Sequence, residues 1–347
     1  MKGHVSQRDL AKIAGVSPMT VSLSLRSHPS IPEQTRIRIQ KLAVKHNYHP
    51  DPALSALNAY RTSSAAPKFQ GTIGWVTAFA TKTGWKEMIQ LSGYYDGVRK
   101  RAQELGYKIE HFWIKEPKMS APRATNILLA RNIQGLIIAP LPTSHSKIEL
   151  KWEHFSSVTL GYSLESPKLH VIMNNQFRNI RSVVKKLHNL GYRRIGFAMP
   201  SANDERVDHN YLGGYWIAQR ELRLSSTSDS PPPLLANDFN ERTFLDWLKS
   251  NNPDAIIISS TLIHEIKGWL KKIHLEVPND IGLAVAATPY QDDYISGIDE
   301  GVCSIGHQAV ESVVSMIHHN DKGIPKQPFS ILAEGTWKDG KTTRTLK

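Results

Sequence analysis

The stretch Asp9–Arg26, DLAKIAGVSPMTVSLSLR, decides how the front of this chain is read. Ser6 is a good N-cap for a helix over QRDLAKIA, in which Leu10, Ile13 and Ala14 fall on one face. Gly15 ends that helix where a left-handed backbone is wanted. Ser17 caps a second helix and Pro18 opens it, at the position where a missing N–H costs nothing. Its inward face is expected to be Val21 and Leu25. Ala11 is small enough to let the second helix approach the first. These are the parts of a helix-turn-helix, although an ordinary corner between two helices would need much the same apolar pattern. Pro32 then opens a third helix, IPEQTRIRIQKLAVKHNY, with Ile37, Leu42 and Val44 among its apolar residues.

Charge separates the two readings. The chain has 347 residues and a formal charge of +12, a surplus that favours polyanionic partners. Up to Thr62 nine basic side chains face three acidic ones, so about half the surplus lies in the first sixth of the sequence. A second helix presented by such a segment fits the DNA major groove, about 12 Å wide. The hydroxyls of Ser17, Thr20 and Ser22 and the helix N-terminus are then placed to meet phosphates.

Behind this segment, SSAAPKFQG reads as a linker, small, polar and proline-bearing. From Gly71 the texture changes. Strand candidates TIGWVT, YKIEHFWI, GLIIAP, SSVTLGY, RIGFAMP, DAIIISS and IGLAVAA alternate with helical stretches such as YYDGVRKRAQEL, RNIRSVVKKLHNL and HEIKGWLKKI. Such alternation gives parallel sheets with helices on both faces, and the order βαβαβ occurs twice. The expected fold is an all-α headpiece followed by an α/β body of two lobes with a cleft between. SSTSDSPPP, residues 225–233, is expected to be a surface loop.

The pattern D-L-A-x-x-A-G-V-S-x-x-T-V-S, then T-R-x-x-I-x-x-L-A and N-Y-x-P, runs unbroken from Asp9 to Pro50 and resembles the headpiece of the lactose-repressor family. Further on, SPKLHVIMNNQFRNIRSVVKKLHNLGYRRIGF, VPNDIGLAV and IGHQAV are similar to that family's later motifs, in the same order. The resemblance implies a headpiece over 1–50, a hinge helix and linker over 51–69, and a periplasmic-binding-protein-like effector and dimerisation domain over 70–347. Its lobes would be about 70–165 with 297–325, and 166–296 with 327–347. It also implies a hinge leucine, here Leu57, that wedges into the minor groove and kinks the duplex. The implied DNA contacts are Ser6, Ser17, Pro18, Met19, Thr20, Ser22, Leu23, Arg26, Thr35 and Leu57. The implied partners are double-stranded DNA, a second copy of the chain and a small-molecule effector such as a carbohydrate, with no cofactor.

The chain also departs from the family. The base-reading positions hold Pro18, Met19 and Leu23, none able to make the bidentate arginine–guanine contact. Apolar contact to thymine methyls and DNA deformability would have to supply specificity. In the cleft, Tyr211 stands where an arginine is frequent, Ser259-Ser260 replace an Asn-Asp pair, and Ala287-Thr288 replace an acidic pair. A cleft without those groups is expected to bind something less polar, or nothing. Candidate effector residues are Phe79, Tyr162 and Tyr211, aromatic and near the expected rim with Trp85, together with Asn174, Arg206, Ser259 and Thr288. Aromatics of this kind serve equally well as core, and Asp204, Glu205 and Arg206 as a solvated charge run.

Cys303 is the single cysteine, which excludes intramolecular disulfides and cysteine metal clusters. His264-Glu265 and His318-His319 lack metal-ligand spacing. No run of about 20 apolar residues, signal core or nucleotide or hydrolase motif is present. The expectation is a cytoplasmic regulator, not an enzyme. The rivals are a solute-binding protein and a sugar-active enzyme of similar α/β fold.

Overall fold

A computed structural model describes residues 7–25, 30–46, 48, 69–222 and 230–345. Ser6, Arg26, the proposed hinge helix with Leu57, and the linker behind it lie outside the described residues, as does most of the 225–233 loop.

The headpiece is built from α1 (Gln7–Ala14), α2 (Pro18–Leu25) and α3 (Glu33–Lys45). Gly15 sits between the first two at φ +65°, the left-handed conformation that only glycine adopts without strain. Ser17 Oγ accepts a hydrogen bond from the backbone N–H of Thr20 at 3.1 Å, which caps α2. Leu10, Ala11, Ala14, Val21, Ile39 and Ala43 form the buried core. One expectation shifts here. Ile13 is 46% exposed because the buried stripe of α1 runs through Ala11 instead. On α3, Ile39 and Ala43, four residues apart, face inward, while Ile37 and Val44 face solvent. Ser17→Ala is expected to cost this small unit about 1 kcal/mol. Amide exchange of α2 in the intact chain should then quicken roughly fivefold by opening of the headpiece; unchanged exchange would show that the cap contributes nothing.

Two six-stranded sheets make the body. The first has the order β13-β7-β5-β3-β1-β2, all parallel, from β1 (Gly71–Thr77), β2 (Tyr107–Trp113), β3 (Ile133–Ile138), β5 (Ser156–Leu160), β7 (His170–Asn174) and β13 (Ser330–Ala333). The second has the order β14-β12-β11-β10-β8-β9, from β8 (Ile195–Pro200), β9 (Leu234–Ala236), β10 (Ala255–Ile258), β11 (Gly282–Val285), β12 (Gly297–Asp299) and β14 (Thr336–Lys338). Only β14 runs antiparallel to its neighbour in that sheet. A minor pair, β4 (Ser146–Lys147) with β6 (Leu164–Ser166), sits beside the first sheet. β10 and β11 are buried at every residue, as strands covered on both faces must be.

The first sheet is covered by α4 (Ile89–Glu104), α5 (Ala121–Ala130) and α11 (Val302–His319); the second by α6 (Gln176–Asn189), α8 (Asn210–Glu221), α9 (Glu241–Asn251) and α10 (Ile263–Lys272). The short α7 (Ser201–Glu205) follows β8. α4 and α11 meet backbone to backbone. A Cβ added at Gly97 would run into the carbonyl oxygen of Cys303, and one at Gly306 into that of Tyr94.

The chain passes between the lobes after β7, after β12 and between β13 and β14. This corrects the expected boundaries: β7 and β13 belong to the first lobe and β12 to the second. Short apolar strands beside a crossing carry no mark of which sheet they join; pairing with distant strands decides it, as in the register Ser330↔Val171. Side chains tie the crossings together. Asn174 Nδ2 donates to Glu300 Oε1, Asn175 Nδ2 to Glu334 Oε1 at 3.1 Å, and the Gly335 N–H to Asn179 Oδ1 at 3.1 Å.

Candidate functional site

The headpiece brings the predicted residues of α2 onto one outward surface. Pro18 and Met19 are exposed, Met19 by 67%, and Thr20, Ser22 and Leu23 are half-buried beside them. The Ser17 and Thr20 hydroxyls lie 2.9 Å apart and share a hydrogen bond, so Ser17 acts first on its own helix. Thr35 is half-buried at the start of α3. The face offers hydroxyls, first-turn backbone N–H groups and one large flexible apolar side chain, a set suited to phosphate oxygens and thymine methyls.

The second site is the cleft. A cavity of about 270 Å³ opens where the C-terminal ends of both sheets meet. Sheets of this kind place ligands there because the loops beyond the strand ends diverge. Tyr162, Asn174, Arg206, Tyr211 and Ser259 line it, as expected. Phe79 and Thr288 do not, and this corrects the sequence reading. Phe79 is packed in the first lobe's core, its carbonyl accepting from Trp113 Nε1 at 2.8 Å. Trp85 is core too, edge-on to Tyr95 with ring centroids 4.9 Å apart. Thr288 is buried, and its hydroxyl donates to the Ile298 carbonyl at 3.1 Å.

The expected poverty of charge in the cleft is also overturned. Arg206 turns in from the loop after α7, and one guanidinium N–H reaches across to the carbonyl of Pro142 at 2.9 Å. Burial lowers its pKa, opposed by Tyr94 and Tyr211. The neighbouring Asp204 is fully buried and structural, accepting from the Leu212 N–H and paired with His209, whose pKa that hydrogen bond raises. Glu300, which the sequence reading missed, sits in the second crossing and lines the cavity. Burial, then the charge of Asp299, pushes its carboxyl up to about 8, so at neutral pH it is mostly a neutral acid. Tyr94, also missed, is buried against it, and its hydroxyl is pushed well above the usual phenol range. Nothing local in SGIDEGV or LSGYYDG distinguishes these residues; only the approach of three crossings and a helix encloses them.

A larger cavity, about 670 Å³, lies within the first lobe between residues 114–121 and 141–149. None of the groups that converge from both lobes reaches it. Among the described residues no cluster of His, Cys, Asp or Glu could hold a metal ion, and no helix is long and apolar enough to cross a membrane.

Comparisons with known proteins fit this geometry. Residues 7–51 match the profile of bacterial regulatory proteins of the lacI family, and residues 184–343 that of the periplasmic binding protein-like domain. The chain is 25% identical over 323 residues to the HTH-type transcriptional regulator MalR of Streptococcus pneumoniae serotype 4, covering 91% of this chain and 94% of MalR. Its fold is that of the lac repressor dimer bound to operator and the anti-inducer ONPF (TM-score 0.56, 17% identity, 99% and 100% of the two chains). It is also that of the CelR–cellobiose complex (TM-score 0.57, 15% identity, 97% and 99%). A helix-turn-helix headpiece joined to a two-lobed body with a cleft between the lobes defines a DNA-binding transcriptional regulator with an effector site. The chain's headpiece matches the lacI family of bacterial regulatory proteins, and the curated relatives that the chain resembles along about nine-tenths of its length are transcriptional regulators.

Proposed function

We propose that this regulator is a repressor: two copies bind a near-palindromic operator, and a small polyhydroxylated molecule in the cleft changes their affinity for it. The observation that carries the reading is the union, in one chain, of an outward-facing α2 and a cavity between the lobes in which hydroxyl and amide side chains stand among apolar ones. A twofold-symmetric protein asks for a twofold-symmetric site, as with the operator-bound lac repressor dimer. At about 270 Å³ the cavity falls just below the usual range of roughly 300–1,000 Å³, which suits a ligand no larger than a monosaccharide. The chain works in the cytoplasm, where its DNA is.

In this reading residues 1–50 dock, 51–69 form the hinge and 70–347 sense and dimerise. Met19 and Leu23 touch bases; Ser6, Ser17, Thr20, Ser22, Arg26 and Thr35 hold the backbone. Leu57 opens a base step. The test is operator selection from random duplex DNA, followed by gel shift at moderate salt. Leu57→Ala is expected to keep salt-sensitive non-specific binding and to lose at least tenfold in preference for the selected site. If the intact chain retains no duplex of any sequence at low salt, the reading fails.

A further inference from the structure

Arg206 and Glu300 are opposite ionisable groups in one cavity that do not serve each other. Among the described residues neither forms an ion pair: Arg206 has a single hydrogen bond, to the Pro142 carbonyl, and Glu300 accepts from Asn174. Both act on the same two tyrosines, Tyr94 and Tyr211, which fixes them within electrostatic reach of a common ligand. A guanidinium has five N–H donors in a planar fork, and Arg206, which lines the cavity, uses one of them on Pro142. At the other end, Asn174 is 2% exposed, lines the cavity, and its Oδ1 has no hydrogen-bond partner. A buried acceptor left unmatched is costly, and a ligand hydroxyl would satisfy it.

We propose that the cleft selects a sugar-sized polyhydroxy anion, whose carboxylate or phosphate pairs with Arg206 while a hydroxyl donates to Asn174 Oδ1. This rests on the reading of the cleft as the effector site and narrows it to one charge class. A neutral sugar would leave the half-buried Arg206 guanidinium without a counter-ion. An amine would meet Arg206 as a like charge, and Glu300 would not offset it, being mostly protonated at neutral pH. Protonated Glu300 instead donates a hydrogen bond to the anion. As pH rises through about 8 it ionises and repels the ligand. The charged and titratable groups facing it are Asp299 beside it, Tyr94 on α4, Tyr211 on α8 and Arg206 on the loop after α7. Both tyrosines titrate above that range, so the loss of affinity belongs to Glu300.

The experiment is calorimetric titration of the full chain with gluconate, glucose 6-phosphate, glucose and cellobiose, at pH 6.5 and 9, alongside gel shift on the selected operator. One of the two anions is expected to bind at least tenfold more tightly than glucose at pH 6.5, the better one telling carboxylate from phosphate. Arg206→Met should erase that preference and Arg206→Lys retain part of it. Affinity should fall about tenfold between the two pH values in the wild type but not in Glu300→Gln. If the neutral sugars bind as well as the anions, or if Arg206→Met keeps the preference, the charge inference is overturned and the effector reading stands. If none of the four binds or alters operator retention, both fall.

Discussion

Glu300→Gln is expected to stabilise the folded chain above pH 8 by several kcal/mol, on the order of 5 at most, and to change little at pH 4. In the fold the Glu300 carboxyl is pushed from 4.5 up to about 8, first by burial and then by Asp299. Below pH 4.5 it is protonated in both folded and unfolded chains, and no difference arises. Between 4.5 and 8 the unfolded chain releases the proton while the folded chain keeps it, so stability falls as pH rises. Above 8 the penalty is constant. A carboxylate in a salt bridge behaves the opposite way, losing stability in acid. Glutamine imitates the protonated acid, still accepts from Asn174, and carries no charge to desolvate. Urea unfolding of both proteins at pH 4 and pH 8.5 measures this directly. A gain equal at the two pH values would mean that ionisation of Glu300 is not its source.

Gly306→Ala is the second large effect, and two forces compete in it. Helix propensity alone favours alanine over glycine by about 1 kcal/mol in a helix interior. Against that, the new Cβ would run into the carbonyl oxygen of Tyr94 and lie 2.9 Å from the N of Val98, both backbone atoms of α4. Rigid backbone cannot swing aside as a lysine tip would, so α4 and α11 must separate. Overpacking of this kind costs typically 1–3 kcal/mol and sometimes more, and here we expect the upper end, about 3. For a unit of this size that lowers the melting temperature by roughly 6–12 °C. Valine should lose more still, because its γ-methyls reach further toward α4 than Cβ does. A melting temperature for Gly306→Ala at or above wild type would show that the helices are free to part.

The sequence carried the architecture well and the lining of the cleft only in part. Headpiece helices were legible because caps and breakers are local: Ser17, Pro18 and Gly15 act on their immediate neighbours. The central strands were legible because burial on both faces demands apolar runs such as AIII and GLAV. β12, β13 and β14 were not, since three or four residues of edge or crossing strand show no periodicity, and their partners lie far away in sequence. Within the site, Asn174, Tyr211 and Ser259 are legible from their offsets from recognisable motifs, Tyr162 as an aromatic near the rim and Arg206 as a loop charge. Phe79 was misread because an aromatic just past the end of β1 packs into the core as readily as it lines a rim. Glu300 was missed because an Asp-Glu pair before a helix reads as solvent-facing, and its burial comes from crossings far apart in the chain.

The tie between Asn174 and Glu300 joins two of the three crossings at the floor of the cleft, so whatever grips those side chains sits at the fulcrum. Near a pivot, displacements are small and leverage is large: a shift of a fraction of an ångström there becomes a sweep of the far ends. Occupancy and DNA grip then share one mechanical part. Substitutions at Asn174 or Glu300 would accordingly move ligand affinity and operator affinity together, whereas changes at the mouth, such as at Ser259, would move the first alone.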